Sequence, residues 1–242
     1  MIIFKADPAR RIEIAGVAAR VRRPIDIDQA ATGFANLRTL RIYQFDAGSV
    51  IDGHAEEDEV FIVVLAGRVD LTMISDLWED SQQAFTLSAA NESEGVACAA
   101  YLPPHAAYKL IPQGDADVAY VRATPESARR PKIFSAIRRQ EQPGIIVLLD
   151  AFQYAERLRM RFVQIDATQT QVTFAPLIGS EAPQETMVHL RSDPQKDLTT
   201  AASAGGTLTS LQSWDTIAFP SGAHPKIEVA GGPSLVLVVS SV

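Results

Sequence analysis

The segment Gly48-Ser-Val-Ile-Asp52-Gly-His54-Ala-Glu-Glu-Asp-Glu59-Val-Phe-Ile-Val-Val-Leu-Ala-Gly67 reads as a short strand, a polar turn and a long apolar strand closed by glycine. Alternate residues of a strand share a face, so Asp52 and His54 fall on one side of the first strand. The acidic run Glu56-Glu57-Asp58-Glu59 reads as a solvated hairpin turn.

Outward from this segment, short runs of β-branched and aromatic residues recur at Leu37–Phe45, Val69–Met73, Tyr108–Ile111 and Val118–Ala123. Turn chemistry separates them, as in Leu102-Pro103-Pro104 and Pro112-Gln113-Gly114-Asp115. A polar, proline-bounded stretch follows Pro125, and a second set of strands begins beyond it, from Ile145–Leu149 to Ser234–Val239. The expected domains are therefore 1–130 and 131–242. Ala151–Arg161 alone has the look of a short helix.

The halves resemble each other. Leu102-Pro-Pro-His105-Ala-Ala-Tyr108-Lys-Leu110 aligns without a gap on Phe219-Pro-Ser-Gly222-Ala-His224-Pro-Lys-Ile227, which suggests two copies of one β-unit. Short, evenly spaced strands in two copies predict an all-β protein of sandwiches, jelly rolls or barrels.

Composition narrows the functional classes. Apolar residues make up 47% of the 242 and charged residues 21%, an ordinary globular balance. The net charge of −7, with no basic run longer than a pair, excludes a nucleic-acid footprint. No apolar stretch is long enough to span a bilayer and the start lacks a signal-peptide pattern, so no membrane partner and a cytoplasmic location are expected. Cys98 is the only cysteine, and its apolar surroundings predict a buried, inert thiol.

The Gly48–Gly67 segment resembles the first cupin motif, with Asp52 in the first histidine slot, His54 in the second and Glu59 in the glutamate slot. Pro103-Pro104-His105-Ala106-Ala107-Tyr108 resembles the second motif, with His105 in its glycine slot. Further on, Glu185-Thr-Met-Val-His-Leu-Arg-Ser-Asp193-Pro194 and Asp215-Thr-Ile-Ala-Phe-Pro220-Ser-Gly222-Ala-His224-Pro225 resemble the C-terminal barrel of the bicupin 5-deoxy-glucuronate isomerases of inositol breakdown (IolB/KduI type). The run from Arg41 to Asp70, with Val64-Leu-Ala-Gly67-Arg-Val-Asp70, is similar to that family's N-terminal barrel.

The resemblance implies tandem cupin barrels of the RmlC-like jelly-roll class. It makes Glu185 and His224 the matches to two metal ligands and catalytic residues. The family's His-x-His pair is missing upstream, where the chain reads Phe174-Ala-Pro-Leu-Ile-Gly-Ser-Glu181-Ala-Pro. A thinner site of Glu185, His224 and Glu181 would suit a divalent ion such as manganese or zinc; Asp52, His54 and Glu59 are the parallel candidates in the first barrel. His189 shares a strand face with Glu185 but lies about 13 Å along it, too far for one ion. Arg161 and Arg191 are candidate partners for a substrate carboxylate, because guanidinium binds carboxylates in a fork. Trp78 and Trp214 read as structural.

Three functions stay open. One is a degenerate bicupin that binds a small sugar acid without cofactor or metal-dependent turnover. The second is an aldose–ketose isomerase with a reduced ligand set, and the third is a structural cupin that forms a homodimer through its sheet edges.

Overall fold

The computed structural model describes residues 1–14, 21–77, 81–166, 172–175, 185–192, 199–204, 207–223, 225–230 and 233–242. Its strands are β1 (Ile2–Phe4), β2 (Arg11–Ile12), β3 (Val21–Asp28), β4 (Leu37–Phe45), β5 (Ile51–His54), β6 (Glu59–Ala66), β7 (Arg68–Ile74), β8 (Gln82–Ser88), β9 (Ala97–Leu102), β10 (Ala107–Pro112) and β11 (Ala116–Ala123). The second half continues with β12 (Lys132–Ser135), β13 (Arg139–Gln142), β14 (Ile145–Asp150), β15 (Leu158–Asp166), β16 (Val172–Phe174), β17 (Glu185–Ser192), β18 (Thr199–Ala204), β19 (Thr207–Leu211), β20 (Thr216–Phe219), β21 (Lys226–Ala230) and β22 (Pro233–Ser241). Among the described residues one short helix, α1 (Gln29–Thr32), is present, capped by Asp28 and ended by Gly33 in the left-handed region. No described helix is long and apolar enough to cross a membrane. The expected helix over Ala151–Arg161 is instead a series of turns leading into β15, in keeping with its weak apolar spacing.

The fold is a tandem pair of cupin jelly rolls. One seven-stranded sheet has the order β12-β9-β6-β11-β4-β3-β2 and the other β1-β20-β17-β22-β15-β14-β13; the four-stranded sheets run β5-β10-β7-β8 and β16-β21-β18-β19. The two halves correspond strand for strand. The turn that aligned them in sequence recurs in space: Ala106 donates to the carbonyl of Pro103 and Ala223 to that of Pro220. His105 and Gly222 both take positive φ there, the conformation that type II turns demand of their third residue.

Sheet membership does not follow the sequence boundary near Arg130. β1, at the start of the chain, pairs with β20 of the second barrel, while β12, beyond the boundary, pairs with β9 of the first. Each barrel is completed by the strand that precedes the other.

Strand alternation produces three apolar clusters. Val60, Ile62 and Val64 of β6 fill the first barrel, and Val163, Val188 and Val236 help fill the second. The opposite face of β6, with Phe61 and Val63, joins Leu40, Ile42, Met160, Phe162, Met187 and Leu237 in a core that runs between the two seven-stranded sheets. Each large sheet is therefore buried on both faces, which accounts for the near-continuous apolar run of β6.

Candidate functional site

The parity of β5 and β6 decides where the expected first-barrel ligands go. Ile51 and Gly53 pair with the inward residues Leu110 and Tyr108, so Asp52 and His54 lie on the other face of β5. Asp52 is exposed beside the barrel mouth, and His54 is on the surface, where its Nδ1 accepts from the Glu56 amide at 2.9 Å. A strand has period two, so a reading displaced by one residue sends every side chain to the wrong face. His105 is also exposed, 3.6 Å from the Glu57 carboxylate.

Glu59 is fully buried but faces the core between the barrels. Its oxygens accept the backbone N–H groups of Glu156 (3.0 Å), Arg157 (2.8 Å) and Leu158 (2.6 Å), and the Tyr101 hydroxyl at 3.2 Å. Burial raises its pKa above the usual carboxylate range, and the three amides and the hydroxyl pull it partly back. The acidic turn is thus only half solvated: Glu56 and Glu57 are exposed, whereas Asp58, held by Arg38 at 2.8 Å, is buried with Glu59.

Glu185 makes the mirror arrangement. It accepts the amides of Ala35, Asn36 (3.0 Å) and Leu37 (2.7 Å), and the Ser241 hydroxyl at 3.1 Å. The expected metal ligand and catalytic residue is therefore occupied in the interface. Glu181 and His224 lie outside the described residues. His189 faces the same way as Glu185; its Nδ1 is 2.9 Å from the Thr216 hydroxyl, and burial, reinforced by Arg191, lowers its pKa to about 3. It stays neutral.

The two candidate arginines are separate from each other. Arg161, 8% exposed, forks onto Glu141 and Asp150. Arg191 reaches across to Asp117 of the first barrel at 2.5 Å and stacks 4.6 Å from the Trp214 ring centre. Trp214 is structural, as expected; Trp78 lies outside the described residues. Cys98 is buried as expected, and burial pushes its thiol up to about 12.

A polar cavity of about 520 Å³ opens in the first barrel, lined by Arg23, Arg41 and Arg122 together with Thr39, Tyr43 and Tyr120, with the Tyr108 ring beside them. Asp26 accepts from Arg41 (2.9 Å) and Arg23 (2.7 Å), and the Arg122 guanidinium donates to the His54 carbonyl at 2.6 Å. Arg23 Nε and the Thr39 hydroxyl are buried without a hydrogen-bond partner. The Tyr120 hydroxyl is also buried without a hydrogen-bond partner, and burial holds both the Tyr108 and Tyr120 phenols above their ordinary range, Tyr108 at about 12, so both remain protonated donors. The carboxylates of the lining, Glu13 and Asp52, are exposed.

The second barrel does not repeat this chemistry. Tyr120 faces Arg41 across the sheet as Val238 faces Arg161, and Arg122 faces Thr39 as Ser240 faces Arg159. Only Arg41–Asp26 recurs, as Arg161–Asp150.

Residues 18–142, just over half of the chain, match the KduI/IolB family. The chain belongs to the KduI/IolB family. Among solved structures, an IolB-like protein from Salmonella typhimurium LT2 superposes with a TM-score of 0.72 at 16% identity, covering 100% of this chain and 93% of its own. The Lactobacillus farciminis oxalate decarboxylase in complex with formate gives 0.70 at 10% identity, covering 99% and 86%. A putative glyoxylate-induced protein from Pseudomonas aeruginosa gives 0.67 at 12%, covering 97% and 85%. At these identities the likeness carries the fold. No curated protein sequence matches the chain.

Among the described residues, the first-barrel slots of the motif do not fit a metal. The inward positions of β5 are Ile51 and Gly53, and the Tyr108 ring fills the space over Gly53, where an added Cβ would lie 2.1 Å from it. Both motif glutamates are saturated by backbone donors, and no cluster of three His, Cys, Asp or Glu side chains suited to a metal occurs among the described residues.

The cavity residues were missed at the level of sequence, although a signal was present. Thr39, Arg41 and Tyr43 alternate along β4 with Leu40 and Ile42, as Tyr120 and Arg122 do along β11 with Val121. Alternation alone does not say which set faces the barrel, and the interface between the barrels claims the apolar stripe.

Proposed function

We propose that this cytoplasmic bicupin of carbohydrate metabolism binds a small sugar acid in its first barrel, without metal-dependent turnover. The observation that carries the proposal is a cavity lined by three guanidinium groups, in whose lining Arg23 Nε and the Thr39 hydroxyl are buried and unpartnered. Buried donors without acceptors are costly, and a ligand carboxylate supplies what they lack. Asp26 compensates part of the positive charge of Arg23 and Arg41, while the exposed Glu13 and Asp52 are screened by solvent.

The remaining lining suits a hydroxylated body. Protonated Tyr108 and Tyr120 can donate to sugar hydroxyls, and the Tyr43 ring offers a flat apolar face. The volume lies within the range usual for small-molecule sites. A neighbour in fold, the oxalate decarboxylase, was itself seen with a small carboxylate, formate. Sugar isomerisation needs a base and an electrophile at adjacent carbons; the buried part of this cavity offers cations and phenols, so binding is the function it supports.

Equilibrium titration with D-glucuronate tests the reading. Saturable binding in the parent, weakened about tenfold or more in Arg41→Met by loss of a charge-assisted contact and unchanged in Arg161→Met, is expected. Equal affinity in the parent and Arg41→Met would overturn it.

A further inference from the structure

The cations of the first-barrel cavity fall into two groups. On one side Arg23 and Arg41 share a single carboxylate, Asp26, at 2.7 and 2.9 Å, and Arg10 reaches it from the surface at 3.6 Å. On the other, Arg122 lies 3.7 Å from Asp58, whose second oxygen is taken by Arg38 at 2.8 Å. Each side therefore keeps at least one positive charge beyond its carboxylate. The second barrel is balanced where the first is not: Arg139 and Arg161 have two carboxylates between them, Asp150 and Glu141.

The two groups lean apart. Asp26 belongs to β3 and Asp58 to the turn entering β6, and β3, β4, β11 and β6 are successive strands. Their anchors are thus three strand spacings apart, about 14 Å along the sheet. Each group also faces a free hydroxyl. Tyr120 stands opposite Arg41 and Thr39 opposite Arg122, on the face of β4 and β11 that lines the cavity, and neither hydroxyl has a hydrogen-bond partner.

The geometry points to a ligand with two carboxylates: a hydroxylated chain that sets one against Arg23 and Arg41 and the other against Arg122, with Tyr120 and Thr39 donating to it. This rests on the sugar-acid reading and narrows it to a diacid. The second barrel forms the same jelly roll with Ser240 in the place of Arg122, so the second cationic group is a property of this cavity and not of the fold. The lining carboxylates Glu13 and Asp52 are exposed, where solvent screens them.

Calorimetric titration of the full chain with D-gluconate and D-glucarate tests the proposal. The two open-chain acids differ only in that the terminal alcohol of the first is a carboxylate in the second, so the ratio of their Kd values isolates the second charge. D-glucarate should bind about tenfold or more tightly, the worth of a hydrogen bond to a charged group. In Arg122→Met that ratio should fall towards one; should this variant fail to fold, Thr39→Val, which removes only a hydroxyl, should lower it about threefold or more. Equal affinity for the two acids in the parent, or a ratio untouched by these substitutions, would overturn the diacid and leave the sugar-acid reading standing. No saturable binding of D-gluconate, D-glucarate or D-glucuronate would overturn both.

Discussion

Glu59 and Glu185 open matching strands of the two barrels, and each carboxylate ends on three consecutive backbone N–H groups of the opposite half. Glu59 holds residues 156–158 at the entrance to β15, and Glu185 holds residues 35–37 at the entrance to β4. β15 and β4 are themselves matching strands. With the reciprocal placement of β1 and β12, this clamp makes the barrels one folding unit.

Removing one arm of the clamp should be severe. Glu185→Ala leaves the amides of residues 35–37 without their acceptor, and each buried orphan donor costs about 1–3 kcal/mol. Urea unfolding should show a loss of about 3 kcal/mol or more. A change below about 1 kcal/mol would mean that these amides find water instead.

The glutamate slots were legible in the sequence, but their partners were not. The backbone donors to Glu59 come from residues 97 to 99 positions away, and no local pattern announces them. Leu37–Phe45 was legible to its ends as a strand, and the Pro103–His105 and Pro220–Gly222 turns revealed the repeat. What failed was parity. Alternation along β4 separates Arg41 and Tyr43 from Leu40 and Ile42, yet it does not say which set faces the barrel when a second barrel covers the outside.

Glu59 should leave a mark on the pH dependence of stability. Burial raises its pKa, so the folded chain holds the proton more tightly than the unfolded one. Its contribution is then full below the ordinary carboxylate pKa and is lost as pH rises through the folded value. The stability difference between the parent and Glu59→Gln should shrink as pH rises from about 4 to about 7. Denaturant midpoints across that range check it, and a difference that grows with pH would contradict the sign.

His189 acts in the opposite direction. Its folded pKa of about 3 lies below the ordinary 6.5, so its share of stability is present above 6.5 and lost as pH falls through that window. Its imidazole NMR signals should stay unshifted down to about pH 5. A titration midpoint near the ordinary value would show that the ring is not sealed in the interface.

Gly53 sets the shape of the first-barrel cavity. A Cβ there would lie 2.1 Å from the Tyr108 ring, which must then swing away. Gly53→Ala should lose about 1–3 kcal/mol by overpacking and weaken D-glucuronate binding. A variant as stable as the parent, with unaltered affinity, would show that the ring yields freely.

The most direct test of metal-independent binding is to measure bound metal and D-glucuronate affinity on the same preparation, before and after treatment with a chelator. The first-barrel cavity predicts substoichiometric metal and one saturable site per chain whose affinity survives chelation. Stoichiometric manganese or zinc, with binding that vanishes on chelation and returns with the ion, would contradict it.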